Sequence, residues 1–262
     1  MSLLHWVMTT ALDWQNYQAS FRKAAESAGF SAVLLVELES GPVVAWERPG
    51  TGLGPHVYLS AGIHGDEPAG PLALLELVHD GFFGDEVSWS ICPFLNPSGF
   101  AANRRENAHG IDLNRDYWVQ RSAEVAAHAQ WLKGGRMPDL FISLHEDWET
   151  TGFYFYEINT GSDDPERMLR ILEAVNPWFS AEPGQEIDGH EIREPGWIYH
   201  AAEPDLPEGW PEAIYLAKLG CPLSFTFETP SRAELSHRVA AHAAAVKATS
   251  RRLIDQIGKG GI

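Results

Sequence analysis

The chain has 262 residues, 44% of them hydrophobic, with 10 Trp, 12 Phe and 7 Tyr, which is enough apolar material for one large core. Its net charge of −17 argues against nucleic acid or an anionic membrane surface as a partner, and no apolar run reaches the ~20 residues that cross a bilayer. The opening stretch MSLLHWVMTTALDWQNY lacks a signal peptide's basic region and long apolar segment. Cys92 and Cys221 sit in apolar strand-like segments and read as buried free thiols rather than a disulfide, so a soluble cytoplasmic protein is expected.

Taken in chain order, seven segments rich in Val, Ile, Phe and Tyr read as strands: 31–38, 43–47, 56–62, 87–95, 139–145, 152–158 and 223–228. Several are apolar throughout, as suits a sheet covered on both faces. Helical spacing marks 12–28, 67–80, 119–134, 164–174, 211–219 and 231–257, the last with Ser231 and Glu234 placed as a capping box. Strands alternating with helices predict an α/β fold, a single domain over 1–262 with a central mixed, largely parallel sheet flanked by helices. Residues 181–211, rich in Pro, Gly and Glu, read as a long surface excursion.

The stretch SAGIHGDEPAG leaves the strand at 56–62 and at once places His64 and Glu67 three apart. Metal ligation and a solvated loop both account for that pair. The same His-x-x-Glu spacing recurs at His200 and Glu203, but inside the acidic excursion rather than at a strand end, where α/β folds gather catalytic groups. A catalytic zinc takes three protein ligands and leaves a position for water. His145, closing the apolar run FISLH, is displayed as His64 is, though a hydrogen-bonded boundary histidine is the plainer account of that residue alone. Between them, NPSGFAANRRENAHGIDLNRDY gathers Arg104, Arg105, Asn114 and Arg115 in a chain that is otherwise acidic, which suggests a local anion site. Glu228 ends LSFTFE, a strand too apolar to carry a carboxylate without a reason. Beside a metal it would serve as general base.

HGDE, NPSG, R-x-N-x-x-G-I-D-L-N-R, SLH and FTFE, in that order over about 56–230, resemble the zinc carboxypeptidase family. The chain resembles the small bacterial-type members, including murein peptide amidases, more than the secreted digestive enzymes, and the succinylglutamate desuccinylase and aspartoacylase branch is related. The resemblance implies a carboxypeptidase-like fold and one Zn2+ per chain held by His64, Glu67 and His145, with Asp112 orienting a ligand histidine. It further implies Arg105 as the oxyanion-stabilising arginine, Asn114 and Arg115 as the pair that holds a terminal carboxylate, and Glu228 as the catalytic glutamate. Laid on the family's flexible loop, GWIYHAAEPDLPEGW makes Tyr199 the mobile tyrosine and puts Glu208 at the position that sets side-chain specificity.

The implied activity is hydrolysis of a peptide or amide bond next to a free terminal carboxylate, acting on a small peptide or N-acyl amino acid. An N-acyl-amino-acid amidohydrolase of the desuccinylase/aspartoacylase type is the first alternative. A non-catalytic zinc-binding module is the second, and the presence of both Glu228 and Arg105 weighs against it.

Overall fold

In the computed structural model, residues 13–52 and 54–258 are described. Residues 1–12, with most of the stretch read for a leader, lie outside them. The chain begins with α1 (Trp14–Ser27), capped by the Asp13 carboxylate, which accepts from the Asn16 amide at 3.1 Å. An antiparallel pair follows, β1 (Ser31–Leu38) and β2 (Gly41–Arg48), then β3 (His56–Ala61), α2 (Ala69–His79) and β4 (Ser88–Cys92). Next come the short α3 (Pro97–Ala102), α4 (Ala123–Gly134), β5 (Leu140–Asp147), β6 (Tyr154–Asn159) and α5 (Pro165–Val175). A small hairpin of β7 (Glu186–Ile187) and β8 (His190–Glu191) precedes β9 (Trp197–Tyr199), α6 (Glu212–Leu219), β10 (Leu223–Pro230) and α7 (Leu235–Gly258).

Eight strands form one sheet in the order β1-β2-β4-β3-β5-β10-β6-β9. The centre, β4-β3-β5-β10, is parallel, and β6-β9 is a parallel pair at one edge, while β1-β2, β2-β4 and β10-β6 run antiparallel. This is the single α/β domain with a mixed, largely parallel sheet that the alternation of elements predicts.

Period-two alternation decides what each face buries. Val57, Leu59, Leu140, Ile142, Phe225 and Phe227 pack with α1, α2, α5 and α7. Tyr58 and Phe141 turn the other way, against Val125 and Ala129 of α4 and Leu216 of α6. Cys92 and Cys221 are both buried and both free. No helix among the described residues is long and apolar enough to cross a membrane.

Three expectations shift. Helix α4 starts at Ala123 rather than 119, because the Asp116 carboxylate accepts from the Arg121 and Ser122 amides and holds a turn there, and the Ser122 hydroxyl then caps the helix. Helix α7 starts at Leu235, so Glu234 precedes the helix and no capping box forms with Ser231. The stretch 181–211 is more than an irregular excursion: it supplies the β7–β8 hairpin and adds β9 to the edge of the main sheet.

Candidate active site

Ligand-type side chains meet where β3, β5 and β10 end. The chain leaves β3 through Gly62, Ile63 and His64 and is pinned against the loop after β4. A Cβ at Gly65 would stand 2.0 Å from the Gly99 carbonyl carbon, so only glycine allows this approach. The Gly65 amide donates to the Arg104 carbonyl at 3.0 Å. Asn96 fastens the same junction: its Nδ2 donates to the Ile63 and Arg105 carbonyls, each at 3.1 Å, and its Oδ1 caps α3 by accepting from the Gly99 amide. The turn signal NPSG thus encodes a clamp between the loop of His64 and the loop of Arg105.

His64 Nδ1 lies 2.6 Å from Glu67 Oε1, His145 Nδ1 lies 3.0 Å from Glu67 Oε2, and the two Nδ1 atoms are 3.3 Å apart. All three side chains are buried, and one ligand atom from each lies within 4.8 Å of the others. Burial works against an ionised Glu67, yet the flanking His64 and His145 outweigh it and hold its pKa far below the usual carboxylate range. Burial also opposes charge on His64, but Glu67 and Asp112 overcome it and raise its pKa; for His145, burial prevails and lowers it. Two imidazoles and one carboxylate converging from three sides form a donor set suited to a divalent cation with an open coordination position. The residues fit such an ion.

Asp112 connects this cluster to the opposite wall. Its Oδ1 faces His64 Nε2 at 3.2 Å and accepts from the Asn114 amide at 2.9 Å, while its Oδ2 accepts from Arg105 Nε at 2.9 Å. Despite burial, the bond to His64 and the Arg105 charge depress its pKa strongly. The Asn114 side-chain oxygen accepts from the Glu212 amide at the start of α6 (2.9 Å), and Arg115 Nη1 donates to the Asn114 carbonyl (2.9 Å).

His64, Glu67, His145, Arg105, Asn114, Arg115 and Glu228 all line one cleft of about 370 Å³. Glu228 reaches it because the alternation that buries Phe225 and Phe227 turns Thr226 and Glu228 to the other face. Its carboxyl is held well above the ordinary carboxylate pKa, first by burial and then by repulsion from Glu67 and Asp147, with Arg105 pulling the other way.

Three sequence assignments do not arrive in the cleft. Glu208 is three-quarters exposed with its carboxylate 3.9 Å from Arg121, and lies outside the cleft lining. Tyr199 is fixed in edge strand β9: its hydroxyl donates to the Asn159 carbonyl at 3.1 Å, and the Arg193 guanidinium lies 5.1 Å from its ring centre. Arg104 turns to the Asn107 carbonyl, leaving Arg105 and Arg115 as the arginines of the lining. The second His-x-x-Glu match also separates: Glu203 bonds Lys218 at 2.5 Å, while His200 enters the cleft.

Sequence reasoning missed part of the lining. Tyr154, Tyr156, Asp188, His190 and Asp205 all face the cleft. The dipeptide Asp188-Gly189, both residues at positive φ (48° and 75°), is the Asp-Gly hairpin signal that would have located β7 and β8 and hence His190. Glu146, one residue beyond His145, accepts from the Ala69 amide at 2.7 Å and pairs with Arg238, which commits it to fixing α2 and α7.

Fold and site together define a carboxypeptidase-like metallopeptidase scaffold. A protein from Shewanella amazonensis, provisionally named a metallopeptidase, superposes with a TM-score of 0.80 at 26% identity over 92% of this chain and 93% of its own. A metallo-carboxypeptidase from Burkholderia cenocepacia superposes with a TM-score of 0.69 at 19% identity, covering 92% of this chain and 69% of its own; at that identity it speaks for the fold alone. Carboxypeptidase SOL1 of Arabidopsis thaliana is 36% identical over 92 residues, a segment that spans only 19% of its length. Residues 53–182, about half of the chain, match the succinylglutamate desuccinylase/aspartoacylase catalytic domain family. That match and the carboxypeptidase-like fold agree with the family that the motif order over 56–230 resembles.

Proposed function

We propose that the protein is a zinc-dependent hydrolase of amide bonds that lie next to a free carboxylate. The observation that carries this reading is the placement of Glu228 in one cleft with the His64, Glu67 and His145 cluster and with Asn114 and Arg115. His64, Glu67 and His145 would hold the zinc, which when bound polarises a carbonyl and makes water a stronger acid.

The remaining steps belong to the chain. Arg115, with the Asn114 side chain beside it, binds the substrate carboxylate as a charge-assisted pair and fixes where the scissile bond falls. Asn114 has its own oxygen occupied by the Glu212 amide, so its NH2 group is the end that faces an acceptor. Glu228 takes the proton of the attacking water and returns it to the leaving nitrogen. Arg105 uses Nε on Asp112 and keeps its remaining donors for the oxyanion that develops on the carbonyl, a role worth ~3 kcal/mol in comparable sites.

Two substrate classes satisfy this arrangement. A peptide with a free C-terminus is the first, and the fold shared with metallo-carboxypeptidases favours it. An N-acyl amino acid is the second, favoured by the match of residues 53–182 to the desuccinylase/aspartoacylase catalytic domain. The substrate partner is in either case a small molecule, and a cytoplasmic setting agrees with the two free thiols. Turnover of zinc-loaded protein on free-ended peptides, their amidated counterparts and N-acyl amino acids tests this directly. The expected result is chelator-sensitive hydrolysis of substrates with a free carboxylate. Equal rates on amidated substrates, or rates indifferent to chelator, would overturn the reading.

A further inference from the structure

The far wall of the cleft carries a second group of metal-type donors. His190 Nε2 lies 3.6 Å from Asp205 Oδ2, His200 Nε2 lies 3.9 Å from Asp205 Oδ1, and the two imidazole centres are 4.9 Å apart. One ligand atom from each residue lies within 4.8 Å of the others. These separations exceed hydrogen-bonding distance. They approach the edge of a ligand tetrahedron, about 3.3 Å for metal–nitrogen bonds near 2.0–2.1 Å. Three donors therefore converge without bonding one another, and the gap between them is the size that one small cation fills.

We propose that His190, His200 and Asp205 form a second divalent-metal site, of the zinc type, distinct from the cluster of His64, Glu67 and His145. The imidazoles are set in place by the fold. The Asp188-Gly189 turn of the β7–β8 hairpin presents His190. The His200 amide donates to the Glu157 carbonyl at 2.8 Å, which ties the residue after β9 to β6. The Tyr156 ring stands edge-on to both imidazoles, at 5.4 Å and 6.0 Å, with its hydroxyl donating to Asp188 at 2.7 Å. His200 is mostly buried, and its Nε2 is the ring nitrogen turned toward Asp205. Asp205, two-thirds exposed, supplies the carboxylate of the set.

The charge of the cleft favours such an ion. Glu228, Asp147, Asp188 and Asp205 all line it, against Arg105 and Arg115, and a cation at this wall relieves their mutual repulsion. Nitrogen donors select a transition-type cation over calcium or magnesium, which take oxygen. The three ligands also come from separate parts of 186–205, so the ion would cross-link the hairpin, the end of β9 and the loop before α6.

Zinc content per folded chain after equilibration with excess zinc and gel filtration is the measurement. The parent should carry two equivalents, His145→Ala one, and His190→Ala with His200→Ala one. Asp205→Ala, at an exposed position that leaves the core untouched, should weaken the second equivalent alone and covers the case in which the histidine variant misfolds. In the parent, zinc beyond the first equivalent should slow proteolysis within 181–211, and in Asp205→Ala it should not. A His145→Ala variant that holds no zinc, or an equivalent in it that survives Asp205→Ala and the histidine variant alike, overturns the proposal. Because His145→Ala isolates this site, its failure is separable from failure of the hydrolase reading.

Discussion

Glu228 and His145 are register partners across the parallel ladder of β10 and β5. Both point to the face opposite Phe227 and Leu144, so two neighbouring strands deliver a carboxyl and a metal-type imidazole to one cleft by alternation alone. Glu228→Gln keeps this geometry and removes the proton acceptor. Turnover should fall by about 10²–10⁴-fold while zinc content stays at the parent level. Near-parent rates in the variant would place the base elsewhere, and Glu146 is a poor substitute because Ala69 and Arg238 occupy it.

Asp112 offers a sharper test of how the cluster is held. One carboxylate touches His64 Nε2, Arg105 Nε and the Asn114 amide. Asp112→Asn leaves the amide-accepting oxygen but weakens the other two contacts, since neutral Asn neither pairs with Arg105 nor supports the histidine as a carboxylate does. Affinity for zinc should drop about 10–100-fold, read by competition against a chromogenic chelator. An unchanged affinity would mean that His64 is oriented by its strand-end backbone rather than by Asp112.

The legible part of the fold was the part written in periodicity. The apolar runs ending at Ala61, His145 and Glu228 named the three central strands and also the residues displayed at their ends, because in parallel sheets strand length and site position are the same fact. The motif order over 56–230 pointed to Arg105, Asn114 and Arg115, which line the cleft, and to Asp112, which contacts His64 and Arg105. What stayed hidden lies in 181–211, where strands of two and three residues carry no periodic signal and polar loop composition masks a wall of the cleft. The His-x-x-Glu spacing pairs His200 with Glu203, which bonds Lys218, whereas the donors that converge on His200 are His190 and Asp205 of the same polar stretch, at no motif spacing. Tyr199 and Glu208 stand outside the cleft lining for a related reason: loop length fixes which residue turns inward, and composition does not encode it.

Arg115→Ala should raise KM for substrates with a free carboxylate far more than it lowers kcat, since the pair it breaks forms before the chemistry. A loss of about tenfold or more in kcat/KM is expected, with little effect on any residual activity toward amidated substrates. An equal loss on both would show that Arg115 acts on fold or on the reacting bond rather than on the carboxylate.

Glu208→Gln supplies the opposite kind of test. With its carboxylate in solvent beside Arg121, the substitution should leave the ratio of kcat/KM for lysine-ended and phenylalanine-ended substrates where it was. A shift toward phenylalanine would require the loop to carry Glu208 inward when substrate binds.

Behind the cleft, Glu212 gives a prediction about stability. Its carboxylate accepts from the Tyr58 hydroxyl and the Ser60 hydroxyl, each at 2.8 Å, and the Tyr58 oxygen lies 2.8 Å from His128 Nε2. The site is fully enclosed, and burial pushes the Glu212 pKa up to about 7 even though both hydroxyl bonds favour the charged form. Burial likewise drives His128 down to about 3, so no cation stands nearby to offset the charge. The sign follows from proton counts. Between the ordinary glutamate value of 4.5 and about 7, the folded chain holds a proton at Glu212 that the unfolded chain has released. Raising pH through that window therefore costs stability, at roughly 1.4 kcal/mol per pH unit and no more than about 3.5 kcal/mol in all. Glu212→Gln preserves an acceptor for one hydroxyl and a donor for the other but has nothing to ionise. Urea denaturation of parent and variant at a series of pH values from 5 to 8 isolates the effect, because every other titrating group cancels in the difference. The variant should gain on the parent steadily as pH rises through the window. A difference that does not change with pH would mean that Glu212 is already ionised at the acid end, with its two hydroxyl donors sufficient to carry a buried charge.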